Sequence, residues 1–482
     1  MPLTVLSNHD VSRILHSFTK DDILELQQHL ADALHWYSTS NDANDYSSDY
    51  QPEAIKLTRK DGTTSLFSPA SDCKGQAVKI TSIIPPDASK GFPSLENLSL
   101  DTEASSRSSI SSTASPTSGS ESPRGSISTI GTTDTAATSV SGTSLPDVSA
   151  EGLKTGEPGD VLNSSESVST VKGSLTLMDQ SGNTTGLINA EEVTAFRTAL
   201  ASTMMLRKRQ SVHDVTVFGA GKQAYWHIRL ALLLRGDEIH HLNIVTRNFE
   251  SATKCIMRLY NPQPDDPDYV NPVGSKYNSR SKKTILTPMH TEYERLLKDY
   301  VRTSSVIFCC TPSLKPLFPP SYLINPEGRK KGRLIVLIGS YKRHMVEIHP
   351  DVLKFAVNPH HHHHSPFHHK HQKEGGAIVV DTVTGCLKDA GEIVQAKLLP
   401  DQVVELGELF MLKKEAERKA RERGEEVPGG CQFDDKSGLK EWLTKGNVIY
   451  KSVGLGLMDI VVGNGLIDYA RGRKIGTTIN NF

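Results

Sequence analysis

Residues Val215 to Leu234 run as an apolar strand (Val215-Thr-Val-Phe218), a glycine turn (Gly219-Ala-Gly221) and an apolar helix in immediate succession. A buried strand that turns on glycines straight into a helix is the opening βα unit of a dinucleotide-binding sheet. Gly219 takes the tight turn, Gly221 leaves the backbone open to phosphates, and Ala224 lets the helix lie close on the sheet. The helix N-terminus then faces an anion with free amides and the positive end of its dipole. Gly236 closes the helix. Such a unit needs a parallel sheet around it. Short apolar runs at 215–218, 242–246, 284–287, 305–310, 334–338 and 377–381, separated by helical patterns, supply one. The expected fold class is α/β with a central doubly wound Rossmann domain.

The chain has 482 residues, long enough for two domains with insertions, and is 37% hydrophobic. Its net charge of −1 sets up no global field toward nucleic acid or an acidic membrane, so neither is an expected partner. No apolar run approaches the roughly 18 residues of a membrane span, and the N-terminus lacks the layout of a signal peptide. Six cysteines show no CxxC spacing, which argues against both a zinc site and a disulfide framework. A reducing, cytoplasmic location is expected.

Before the glycine turn, residues 19–38 open with Thr19-Lys-Asp-Asp22 and carry Ile23, Leu26, Leu30, Leu34 and Tyr37 at helical spacing. Residues 63–85 read as a strand pair. From Ser99 to Ser149, 26 of 51 residues are Ser or Thr and none is aromatic, so this stretch is expected to be a disordered insertion. A strand at 169–179, a turn, a second strand at 185–189 and a helix at 190–207 follow, the helix carrying Val193, Phe196, Leu200 and Met204 on one stripe. Loops are expected at 262–283, at the histidine tract within 358–374, and at 413–437, where a charged run extends a helix toward Pro428-Gly-Gly430. The last ordered stretch, 449–470, again reads strand, turn, helix.

Several residues point to chemistry. After the second sheet strand the chain reads Thr246-Arg247-Asn248, with no carboxylate for a ribose 2′-hydroxyl and an arginine placed to pair with a 2′-phosphate. That favours NADP(H), with NAD(H) still possible. The tract His360–His364 with His368, His369 and His371 reads as low complexity rather than a native metal site, so no metal is expected. Cys309-Cys310 ends a buried strand and reads as packing. Lys79 falls in an apolar strand and Arg197 on an apolar helix; cations in such positions need anions. A structural salt bridge and a pocket for a carboxylate or phosphate are both open readings.

Taken together, Thr194-Ala-Phe-Arg197-Thr-Ala199, Gly219-Ala-Gly-Lys-Gln-Ala-Tyr-Trp-His227 and Ser452-Val-Gly-Leu-Gly-Leu-Met-Asp459 resemble the ornithine cyclodeaminase/mu-crystallin family. The resemblance implies a Rossmann domain at 208–454 and a discontinuous α+β substrate and dimerisation domain built from 1–86, 169–207 and the C-terminal helix in 455–482. Residues 87–168 would be a Ser/Thr-rich insertion, and the chain a homodimer. By motif, Lys79 and Arg197 would bind the carboxylate of a small imino or amino acid and Val453 would touch substrate. Thr170, Arg197, Gly219, Gly221, Lys222, Gln223, Thr246, Arg247, Thr311, Ser452 and Gly454 would line the dinucleotide. Lys79 and Asp459 are the candidate catalytic groups.

Two positions depart from the family. Its general-base aspartate falls on Ser340 or Tyr341, and a second arginine falls on Ala54. The leading expectation is therefore an NAD(P)H-dependent reductase of a carbon–nitrogen bond, like the family's cyclic ketimine reductases. The alternatives are an ornithine cyclodeaminase and a non-catalytic NADPH-binding protein.

Overall fold

The structure, a computed structural model, describes residues 2–39, 51–84, 170–263, 269–273, 280–325, 332–357, 377–426, 429–434 and 436–482. The serine-rich stretch and the histidine tract, for which a disordered insertion and a low-complexity loop are expected, lie outside the described residues.

Eight parallel strands form the central sheet: β7 (Asp214–Phe218), β8 (His241–Val245), β9 (Lys282–Leu286), β10 (Val306–Cys309), β11 (Leu334–Leu337), β12 (Ile378–Val380), β13 (Val403–Glu405) and β16 (Val448–Lys451). Their order is β13-β12-β16-β11-β10-β7-β8-β9. Every residue of β10, β11 and β16 is buried, as expected of parallel strands covered on both faces. The chain enters at β7, winds outward through β8 and β9, and returns to β10 on the other side. The strand ends of β7 and β10 therefore flank a topological switch point, where open α/β sheets bind ligands.

The second sheet has seven strands in the order β17-β1-β6-β5-β4-β3-β2. Its heart is the antiparallel set β2 (Ile55–Thr58), β3 (Thr64–Asp72), β4 (Gly75–Ile84), β5 (Thr170–Asp179) and β6 (Thr184–Asn189). Short strands β1 (Leu3–Leu6) and β17 (Thr477–Ile479) complete one edge. Strands β4 and β5 pair over ten residues up to Ile84 opposite Thr170, so residues 85–169 leave and re-enter the sheet between two adjacent strand ends. A third, two-stranded sheet pairs Phe410–Met411 (β14) with Gln432–Phe433 (β15).

Helices join the two large sheets. Helix α1 (Asn8–Ser17) starts at a Ser7/Asp10 capping box, and α2 (Lys20–Thr39) at the Thr19/Asp22 box that the sequence announces. Helix α3 (Val193–Leu206) packs on α4 (Lys222–Arg235), which follows the glycine turn. The C-terminal helix (Gly456–Arg473) lies on β3, β4, β5, α2 and α3, so the chain's end returns to the antiparallel sheet. Polar ties fix this arrangement. Trp226 Nε1 donates to Glu192 Oε2 (2.7 Å), Arg229 Nη2 donates to the His16 carbonyl (2.8 Å), and His16 Nε2 meets Tyr225 Oη (2.8 Å). All described residues fall in one compact unit holding both sheets.

Sequence reading and structure differ at short elements. Strands β1, β2, β13 and β17 have three or four residues each, too few to show a period of two, and were not expected. The helix at Lys413–Arg423 stops at Gly424, whose φ of 68° ends it in a left-handed turn, rather than running on to Pro428.

His227 in α4 is fully buried, with Nδ1 2.7 Å from the Gln223 carbonyl and Nε2 3.1 Å from Ser202 Oγ. Burial pulls its pKa from 6.5 down to about 4. The unfolded chain therefore takes up a proton that the folded chain refuses, and stability falls as pH drops from 6.5 through 4, by about 3 kcal/mol in full. We expect His227→Gln to lose less stability than the parent over that window. Denaturant midpoints at pH 7 and pH 4.5 would test this, and equal pH dependence in both chains would refute it.

Candidate functional site

The glycine turn has the geometry its sequence asks for. Gly219, at the end of β7, has φ +103°, a conformation side chains rarely adopt, and its amide donates to the Val245 carbonyl. Gly221 caps α4 with no side-chain hydrogen bond, and a Cβ placed on it would meet nothing within 4 Å. The first amides of α4 thus open onto free space at the switch point. Beside them the Gln223 Oε1 atom is buried with no partner, an acceptor waiting for a donor. Lys222 leans toward Glu191 (3.4 Å) and Glu192 (3.5 Å). At the end of β8, Thr246 is half-buried and Arg247 is exposed; Asn248 turns to cap the next helix.

Three buried acids that the sequence reading passed over organise the strand ends. Glu347 accepts from the Thr311 amide (2.8 Å) and the Gly339 amide (2.7 Å), which ties the ends of β10 and β11 together. Burial pushes its carboxyl up to about 7, against the pull of Lys451 and those two amides. Glu392 accepts from the Glu347 amide (2.6 Å) and the Ser340 hydroxyl (2.5 Å to Oε1), and lies 3.3 Å from Lys451 Nζ. Lys451 also contacts Ser340 Oγ closely, and this whole cluster is sealed from solvent. Ser340, one of the two positions on which the family resemblance places an aspartate, is therefore a link in a buried structural network.

Asp381, after β12, accepts from Ser452 Oγ (2.7 Å) and from the amides of Val453 (3.1 Å) and Gly454 (2.7 Å). A single carboxylate thus holds the whole turn that follows β16.

On the antiparallel side, Lys79 of β4, Arg197 of α3 and Asp459 of the C-terminal helix meet. Lys79 Nζ is 2.6 Å from Asp459 Oδ2 and Arg197 Nε 3.3 Å from Asp459 Oδ1, and all three residues are buried. Burial pulls the Lys79 ammonium below its usual value, with Asp459 opposing the shift and Arg197 adding to it. Burial pushes the Asp459 carboxyl up, but Arg197 and Lys79 together outweigh it and hold it low. Asp459 sits in the first turn of its helix, yet its side chain serves the cations.

The two halves of the site touch at Gly454. Its φ is +101°, and a Cβ there would lie 2.9 Å from Arg197 Nη2. Arg197 spends Nε on Asp459 and Nη1 on Met458 Sδ (3.4 Å), while Nη2 has no acceptor among the described residues. Of the residues singled out from the sequence, Lys79, Arg197, Asp459, Ser452, Val453 and Gly454 are brought together here. Gly219, Gly221, Lys222, Gln223, Thr246, Arg247 and Thr311 gather at the ends of β7, β8 and β10. Thr170 begins β5, opposite Ile84; its side chain lies outside the described residues. Ala54, in place of an arginine, is exposed. A cavity of about 460 Å³ between α2 and the C-terminal helix contains none of these groups.

A parallel sheet with an open glycine turn at its switch point, joined by helices to an antiparallel sheet that carries a buried Lys–Asp–Arg cluster, defines a two-part dinucleotide-fold protein. The fold is that of the ornithine cyclodeaminase/mu-crystallin family, as the sequence resemblance anticipates. Among solved structures it is similar to the Δ1-pyrroline-2-carboxylate reductase of Thermococcus litoralis in complex with NADH and L-proline (TM-score 0.56, 15% identity, 99% of this chain and 100% of that one). It is also similar to an archaeal alanine dehydrogenase dimer with bound NAD (TM-score 0.56, 13% identity, all of both chains). A lysine cyclodeaminase superposes with TM-score 0.54 at 14% identity, over 99% of this chain and 95% of that one. No protein-family model matches the chain.

Two sequence relatives are an uncharacterised protein of Saccharomyces cerevisiae, 29% identical over 251 residues, and an uncharacterised cyclodeaminase of Dictyostelium discoideum, 27% identical over 184. The matches span 48% and 37% of this chain, and only 62% and 47% of those relatives. No helix among the described residues is long and apolar enough to cross a membrane.

Proposed function

We propose that this chain is a nicotinamide-dependent oxidoreductase that acts on a carbon–nitrogen bond next to a carboxylate, with reduction of a cyclic ketimine as its reaction. The observation that carries this reading is the junction at Gly454, where the turn after β16 lies against the guanidinium of Arg197 and leaves Nη2 free. A group seated along the strand ends and an acid seated on Arg197 would meet at that point.

The residues present fit a dinucleotide. Gly221 leaves room for a pyrophosphate against the amides of α4, Gln223 Oε1 lacks a donor, and Thr311 and Ser452–Gly454 border the same edge. When bound, the nicotinamide would supply the hydride. The chain's own part is to place the substrate. Lys79 and Arg197 carry two positive charges and Asp459 one negative, so the cluster presents a net single positive charge, suited to one carboxylate. Lys79 can hold a proton at Nζ beside the acceptor, and the buried setting excludes water. Orientation of the imine would supply much of the rate gain. A homodimer with a small imino or amino acid as substrate completes the proposal. The cyclodeaminase reading is less well supported, because neither Ser340 nor Tyr341 offers a carboxylate as base, and Ser340 is committed to Glu392.

The test is to mix purified protein with NADPH or NADH and either piperideine-2-carboxylate or pyrroline-2-carboxylate and follow nicotinamide absorbance. Consumption with either imine supports the proposal. Nucleotide binding without turnover on both would sink it and favour a binding protein.

Arg247 carries the expected cofactor preference. Removing one charge-assisted contact costs about 1.5–3 kcal/mol, so Arg247→Ala should weaken NADPH binding about tenfold or more while leaving NADH unchanged. Equal loss for both nucleotides in a titration would remove Arg247 from the 2′-phosphate role.

A further inference from the structure

We propose that His213, Asp214 and His241 form a binding site for a divalent transition ion of the zinc class at the N-terminal ends of β7 and β8, the end of the parallel sheet opposite the glycine turn. Asp214 begins β7 and His241 begins β8, and the two are register partners. Asp214 Oδ1 lies 2.8 Å from His241 Nδ1 and its Oδ2 lies 3.2 Å from His213 Nδ1, so one carboxylate draws both imidazoles toward a common point. The candidate ligand atoms all fall within 4.8 Å of one another. Two imidazole nitrogens and a carboxylate oxygen form a donor set that suits zinc-like ions and disfavours magnesium or calcium, which take oxygen ligands.

The cluster is held from below by backbone. The amides of His240 and His241 both donate to the His213 carbonyl (2.9 and 3.2 Å), and Ser305 donates its amide to the Asp214 carbonyl (2.8 Å). His240 stacks on His213 with ring centroids 4.3 Å apart and fixes the ring's tilt. Both ligand histidines are exposed, so an ion has a path in and water can complete the coordination. The strand's length, at about 3.3 Å per residue, puts this end about 16 Å from Gly219. An ion here would clamp β7 to β8 and would take no part in the chemistry at the far end.

The histidine tract would bind metal in its own right, so the test uses the full-length chain with the eight histidines at 360–364, 368, 369 and 371 replaced by asparagine. Calorimetry with zinc chloride should show one equivalent bound, and magnesium chloride none. The His213→Ala/His241→Ala double substitution should abolish that equivalent with the circular dichroism spectrum unchanged. Asp214→Asn, which keeps the side chain's shape, should weaken it by about tenfold or more. The proposal is overturned if the tract-free chain binds no zinc, or if the double variant keeps the equivalent, which would locate it elsewhere.

Discussion

An Asp459→Ala substitution is expected to destabilise the folded chain by about 3 to 5 kcal/mol, because it strands two buried cations without their shared anion. Lys79 and Arg197 reach no other carboxylate among the described ion pairs, and the burial that already pulls the Lys79 ammonium down would then act unopposed by Asp459. Asp459→Asn should do nearly as much harm, since an amide keeps the shape and loses the charge. Replacing all three residues together, as Lys79→Met, Arg197→Met and Asp459→Leu, should restore most of the lost stability, because an apolar trio has no charge to desolvate. That variant would fold but have nothing to hold a carboxylate. Urea midpoints of the four chains decide the matter. An Asp459→Ala midpoint equal to the parent's would mean that the cations reach water, and the buried-cluster account would be wrong.

Gly221→Asp should separate folding from binding more sharply than any other single change in the chain. The backbone at Gly221 (φ −83°, ψ −171°) suits an aspartate, and a Cβ there meets open space. Aspartate is a better helix cap than glycine, so stability should hold or rise by a few tenths of a kcal/mol. A dinucleotide would suffer the reverse. A carboxylate about 4 Å from a pyrophosphate costs about 4 kcal/mol at an effective dielectric of 20, so affinity should fall by about a hundredfold or more. Fluorescence titration with NADPH alongside a melting curve reads both effects at once. Unchanged affinity would show that the amides of α4 do not face the phosphates.

What the sequence made legible was local. The glycine turn and its helix are written in one unbroken run from Val215 to Leu234, and the capping box at Thr19 and Asp22 in four residues. Lys79 and Arg197 stood out because each is a charge inside an apolar run, a contradiction that invites a partner. Their pairing was hidden: Asp459 was singled out by motif as a catalytic candidate, but it lies 380 residues beyond Lys79 and looks, in its own context, like any acid in a first helical turn. Asp381, Glu347 and Glu392 were missed for the same reason. Each is a lone acid at a strand end, loop or helix, and only tertiary structure brings them to backbone amides, Ser340 and Lys451. The pair His213–Asp214 is visible in the chain, but His241 joins it only through the register of β7 and β8. The short strands β1, β13 and β17 owe their existence to neighbours, since three or four residues cannot declare a period.

The partnership of Ile84 with Thr170 has a consequence for how such a protein can vary. For the antiparallel sheet, residues 85–169 are simply what connects the ends of two paired strands. The entropy of closing so long a tether exceeds that of a two-residue turn by only about 3 kcal/mol, because the penalty grows with the logarithm of length. Lineages could lengthen, shorten or rewrite that tether by tens of residues and leave Lys79, five places upstream of the junction, in the same register. A change of sequence at this seam would leave Lys79 where it meets Asp459.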